Sequence, residues 1–218
     1  MPAPSPPRDS QRSRVYRAET PLGGRKFPTL PDCATYVDRV VGSLWWYWRF
    51  PESGLGCVPR LRPGNGARQA FYKEDPEPSI TLPRRYRTSG VMLHELAHWA
   101  LRTAEDLPNH GTSFTRLLLD LVAAFEGDAT AKRLLERYES EDVHVGRPAR
   151  LGPDGRWSYT WDERLRKGRG RCLRIGYGDS EHAVGVLVSR AHAHATLSAN
   201  GSGPVRIPER EIWSVEPV

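Results

Sequence analysis

The chain has 218 residues, 38% of them hydrophobic and 20 of them glycine, which supplies a core and excludes a wholly disordered chain. Its 32 basic residues exceed 26 acidic ones, and the net charge of +6 permits an acidic partner without demanding one. No stretch approaches the roughly 18 apolar residues of a membrane span, and the first residues lack the apolar run of a secretory signal, so the expected location is the cytoplasm, with no membrane partner.

Residues 1–12 hold four prolines and no large apolar side chain after Met1, the composition of a disordered tail, with order expected from Val15 and Tyr16. Pro31 and Asp32 open a helix in which Tyr36, Val37, Val40, Val41, Leu44, Trp45 and Trp48 form one amphipathic stripe, stopped by Pro51. That phase predicts the tryptophans in or near the core. A strand is expected over 55–61 and a long-looped hairpin over 68–72 and 79–82. A second helix is expected from about residues 86–88 to 103, and a third from Thr112, with Phe114, Leu117, Leu118, Leu121, Val122 and Phe125 inward and a break at Gly127.

After Ser140 the pattern changes to short strand-like runs over 156–161, 172–177, 183–188, 205–207 and 212–215. The expected class is α+β. Residues 13–140 form a domain of three main helices and a small antiparallel sheet, and residues 141–218 form a small β-rich accessory module. The metal chemistry described next asks nothing of that module, so its removal is expected to spare metal binding.

Residues 92–99 contain His94, Glu95 and His98 in the pattern H-E-x-x-H, inside a segment that is helical by its own periodicity. Histidines at i and i+4 project from one helix face and can meet one zinc ion. Glu95 stands a quarter-turn away, placed to act as general base on a water without being a ligand. His110, next to Gly111, is the expected third ligand, with Gly111 giving either a positive φ or a close backbone approach. Glu105, Asp106, Asp120 and Glu126 are the competing donors. The three ring nitrogens should converge to about 3–4 Å of one another. Tyr72 and Tyr86 are open choices for a group that steadies the developing oxyanion.

His94 to His98, followed by His110-Gly-Thr-Ser-Phe114, resembles the zincin pattern of SprT-like metallopeptidases. It is similar in particular to metallohydrolases of high-GC Gram-positive bacteria and their phages. In that group a start like Val15, Tyr16, Ala18 and Glu19 precedes a helix, and a hairpin ending like Ile80, Leu82 and Pro83 leads into the zinc helix. The resemblance covers about residues 14–140 and implies a zincin-like core, Zn²⁺ held by His94, His98 and His110, and a protein or peptide substrate. The four-cysteine zinc ribbon of SprT-like proteins is absent. The odd and widely spaced Cys33, Cys57 and Cys172 read as reduced thiols.

Residues 164–174 carry Arg164, Arg166, Lys167, Arg169, Arg171 and Arg174 without an acid, a solvated run and the chain's best candidate contact for nucleic acid or another acidic partner. His192 and His194 read as a solvated strand face, and His144 and His182 stand alone. The sequence thus points to a zinc metallopeptidase. A zinc hydrolase of a non-peptide amide and a binding protein with a structural zinc are the alternatives.

Overall fold

A computed structural model describes residues 8–51, 58–191, 193–199 and 202–218. In it the chain is α+β, with seven α-helices and three separate sheets among the described residues. No helix there is long and apolar enough to cross a membrane.

Helix α1 (Arg12–Glu19) buries Val15 and Ala18 completely. Order therefore begins earlier than the proline content suggests. Gln11 is itself buried, its amide holding the carbonyls of His110 and His144. Of the expected tail only residues 1–7 lie outside the described residues.

Helix α2 (Leu30–Val41) starts with a reciprocal cap: the Thr29 hydroxyl accepts the Asp32 N–H, and the Asp32 carboxylate accepts the Thr29 N–H. The single helix expected through Trp48 is instead two. Ser43 is extended and its hydroxyl caps a new helix, α3 (Leu44–Arg49), by accepting the Trp46 N–H. The break rotates the stripe. Trp46 is buried and stacks on Trp99 with ring centroids 5.3 Å apart, whereas Leu44 and Trp48 stand out in solvent at 75% and 64% exposure.

Strands β1 (Arg60–Pro63), β2 (Phe71–Lys73) and β3 (Ser79–Leu82) make a sheet with β3 in the middle. The β2–β3 pair is the expected antiparallel hairpin, but β1 runs parallel to β3, so the sheet is mixed rather than antiparallel. Residues 52–57 lie outside the described residues, and with them residues 55–57 of the expected first strand, Cys57 included. Strand β2 is an edge.

After a 3-10 turn over Arg84–Tyr86 comes helix α4 (Ser89–Ala100), which is buried nearly all round and packs on α5 (Thr112–Glu126). Gly127, at φ +88°, separates α5 from α6 (Asp128–Ser140). The left-handed region costs glycine little, so the expected break falls there.

The first core runs past residue 140. Val143 and Tyr159 are buried in it, and Val145, Ala149 and Trp157 pack against it. The hairpin of β4 (Arg150–Leu151) and β5 (Trp157–Ser158) belongs to this stretch. The strand expected over 156–161 is present only as β5, and a second core then begins at Trp161 and Leu165 of helix α7 (Trp161–Lys167), where the basic run was read as solvated. It is completed by an antiparallel sheet of β6 (Cys172–Tyr177), β7 (Glu181–Ala191), β8 (His194–Ala199), β9 (Ser202–Pro208) and β10 (Ile212–Pro217). The order is β10-β6-β7-β8-β9. By packing, the boundary between the two units lies between Tyr159 and Trp161.

Candidate metal centre

Helix α4 starts where the Thr88 hydroxyl accepts the Val91 N–H at 3.3 Å, and Leu93, Leu96 and Ala97 bury its apolar faces. This anchoring turns His94 and His98 together toward α5. The chain leaves α4 after Ala100 and closes a turn in which the Gly111 N–H donates to the Pro108 carbonyl at 3.0 Å. That turn carries His110 back onto the same point.

The Nε2 atoms of His98 and His110 lie 3.1 and 3.3 Å from Nε2 of His94, and ligand atoms of all three rings fall within 4.8 Å of one another. Donors about 2.0–2.1 Å from one tetrahedral zinc ion would be about 3.3 Å apart. Three imidazole donors at this spacing fit a divalent metal such as zinc. The alternative donors are occupied elsewhere. Asp106 pairs with Arg164 and Asp120 with Arg116, Glu126 accepts the Tyr36 hydroxyl, and Glu105 is exposed outside the cluster.

A second layer of residues supports two of the three rings. Nδ1 of His94 donates to Oε2 of Glu19 at 2.7 Å, and Nδ1 of His110 donates to Oδ2 of Asp9 at 2.7 Å. With the proton on Nδ1, each Nε2 presents its lone pair to the shared point. The other oxygen of Glu19 accepts the Tyr138 hydroxyl at 3.1 Å. Phe114 packs against all three imidazoles at 4.5–4.9 Å between centroids, and Tyr16 stacks on His94 at 5.3 Å. Tyr16, Glu19 and Phe114 belong to the motif resemblance, but the sequence did not show that they meet the rings, and it singled out neither Asp9 nor Tyr138. Glu19 lies 75 residues before its histidine and Asp9 lies 101 before His110, so no local spacing marks them. The one available signal was chemical: histidine ligands need acceptors for their second nitrogen.

Burial governs the electrostatics. The Glu95 carboxyl is pushed up to about 7 by burial and the nearby Glu19 charge, against the pull of His94. Burial would lower His94, but Glu19 outweighs it and raises this imidazole, while burial and the neighbouring rings hold His98 well below the ordinary histidine value. His110 is lowered by burial and by His94, with Asp9 opposing.

The cluster opens on a cleft of about 480 Å³ lined by Glu95, His98 and His110, by Ala70, Phe71 and Tyr72 of the β2 edge, and by Leu101 to Asn109. Three buried polar atoms of its wall have no hydrogen-bond partner: the Tyr72 hydroxyl, Ser113 Oγ and Asp9 Oδ1. Tyr86 is not part of this wall; Arg85 lies over its ring.

The C-terminal unit reaches the centre from behind. The Glu163 carboxylate accepts the Ser113 N–H at 2.8 Å, capping α5, and pairs with Lys167 at 2.8 Å. These bonds hold it below the usual carboxylate range although burial opposes them. Gly111 is not in the left-handed region, with φ −70°, and any Cβ there would collide with this carboxylate. Close approach is therefore the reason for that glycine. The Gly146 N–H also donates to Thr112 at 3.0 Å. Residues beyond 140 thus bond to the start of α5, beside His110.

The remaining sequence candidates fall elsewhere. Arg164 is held by Asp106, Arg166 by Asp162 and Thr112, and Lys167 by Glu163, which leaves Arg169, Arg171 and Arg174 as exposed members of the basic run with no ion pair among the described residues. His182 packs on Trp213, His144 offers its backbone to Gln11 and Thr115, His194 opens β8, and His192 lies outside the described residues. The chain matches no family model, no curated protein and no solved structure, so its likeness to SprT-like metallopeptidases rests on the motif residues themselves.

Proposed function

We propose that the chain is a zinc-dependent hydrolase with a zincin-like core, acting on protein or peptide. The observation that carries this reading is the convergence of three Nε2 atoms beside a buried glutamate at the floor of an open cleft. Zinc held by His94, His98 and His110 would supply a Lewis acid that brings the pKa of a water toward about 7. Glu95, buried beside the ligands, would accept a proton from such a water at its carboxylate and return it to the leaving group. Of the two tyrosines only Tyr72 lines the cleft, and its buried hydroxyl is unpartnered, which favours it over Tyr86 as a donor to a substrate oxygen.

Peptide is favoured over a small amide because the cleft runs along β2, an edge strand with backbone groups free to pair with an extended chain. The open cleft also speaks against a purely structural metal, whose coordination is ordinarily closed. The test is zinc analysis of the purified protein together with cleavage of an unfolded protein mixture by the parent and by Glu95→Gln. Stoichiometric zinc in both, with cleavage by the parent alone, supports the reading. Zinc without cleavage in either leaves the structural alternative standing.

A further inference from the structure

We propose that Glu19 and Asp9 are positioning residues of the metal centre, so that segment 9–19 is an integral part of it. The inference rests on the metal reading above and extends it to a stretch whose beginning has the composition of a tail.

Four observations carry it. First, each carboxylate binds the back of one ligand ring at 2.7 Å, at the nitrogen that sets tautomer and rotation. Second, the two carboxylates are largely buried, with side chains 17% and 22% exposed, yet among the described residues neither has a lysine or arginine within ion-pair distance. This chain carries 32 basic side chains and pairs most of its other buried acids with them. Buried carboxylates need a positive partner, and here the only one offered is the imidazoles and the cation they would hold. Third, Glu19 is fixed at both oxygens, by His94 and by the Tyr138 hydroxyl, so its position is set independently of the ring it orients. Fourth, α1 is locked against the site by Val15 and Ala18, both fully buried, and by the Tyr16 ring on His94. The Val15, Tyr16, Ala18 and Glu19 pattern therefore has one physical meaning: two residues dock the helix, one covers the rings and one orients a ligand.

The support is asymmetric. Among the described residues His98 has no carboxylate partner, and its ring is held instead by stacking on Phe114 at 4.5 Å.

The experiment measures zinc affinity of the full-length protein by chelator competition, with cobalt(II) visible spectra as an independent report of ligand geometry. Glu19→Gln and Asp9→Asn keep a neutral acceptor and lose the charge, and each is expected to weaken zinc by about 10–100-fold. Glu19→Ala loses acceptor and charge together and should fall further. Arg17→Ala removes an ion pair to Glu141 from the same helix and should leave affinity unchanged. Wild-type affinity in Glu19→Gln and Asp9→Asn would overturn the proposal, as would an equal loss in Arg17→Ala, which would make helix docking the cause. If either carboxylate variant folds poorly, Tyr138→Phe serves instead: it frees one oxygen of Glu19 and should weaken zinc several-fold with an altered cobalt spectrum, and an unchanged spectrum and affinity would count against the proposal. Absence of stoichiometric zinc in the parent would instead remove the metal reading beneath it.

Discussion

Buried acids are handled in opposite ways by the second core and by the three-histidine cluster. In the second unit, Asp162 and Glu209 share Arg190 at 2.9 and 2.6 Å, Arg147 adds a bond to Glu209 at 2.9 Å, and Glu163 holds Lys167. Around the candidate metal centre, the charged or ionisable partners of Glu19 and Asp9 among the described residues are imidazoles, with the Tyr138 hydroxyl on the other oxygen of Glu19, and Glu95 has no ion pair there. An arginine partner compensates a carboxylate permanently and makes it structural. A histidine partner, or none, leaves the negative charge for a cation or a proton that comes and goes. On the proposed function the contrast separates groups kept for stability from groups kept for chemistry, and Glu163 stands between them, paired by lysine yet capping the helix beside His110.

The largest expected effect is on rate. Glu95→Gln should lower hydrolysis by about 10²–10⁴-fold while zinc content stays stoichiometric. Burial raises the Glu95 pKa to about 7, so its charged form is disfavoured by folding. A raised carboxyl destabilises the fold above its unfolded pKa, so the metal-free variant should melt above the parent near pH 8. A lower melting temperature would make Glu95 a structural acid after all.

Glu209→Gln should do the reverse. It leaves Arg190 and Arg147 short of an acceptor and should cost about 1–3 kcal/mol in denaturant unfolding, with zinc affinity unchanged. Weakened zinc binding in this variant would mean that the two units are not distinct in the way their acids suggest.

Glu163→Gln keeps an acceptor for the Ser113 N–H but loses the charge that strengthens that bond and pairs with Lys167; it should cost about 1 kcal/mol and should also weaken zinc slightly through the His110 turn. Its folded pKa is depressed, so the stability it contributes is present above the ordinary glutamate value, about 4.3, and is lost as pH falls through the folded pKa. The variant's stability should therefore fall less steeply below pH 4 than the parent's. The smallest effect belongs to Trp48→Ser, expected within about 0.5 kcal/mol because the ring is solvated; a loss of several kcal/mol would restore Trp48 to the core.

The ligands were legible because their signal is local. The spacing of His94 and His98 sits inside one helix, and His110 needed only a turn. The second layer was not, because Asp9 and Glu19 come to the site by folding rather than by spacing. The composition of residues 1–12 hid the ordered Gln11 and Asp9 behind the prolines at their start. Phase failed at Ser43, since a single capping hydroxyl restarts the helix and shifts every following side chain. Helix α7 was hidden by its own flanks: the aromatic alternation up to Trp161 reads as a strand, and the Trp161–Leu165 spacing that buries the helix lies inside a basic run.

Zinc-edge X-ray absorption on the metal-loaded full-length protein tests the central claim most directly. The account predicts one zinc per chain with three nitrogen scatterers at about 2.0–2.1 Å and no sulfur. A sulfur shell at about 2.3 Å, which only cysteine could supply, or zinc bound equally well after His94→Ala and His110→Ala, would contradict it.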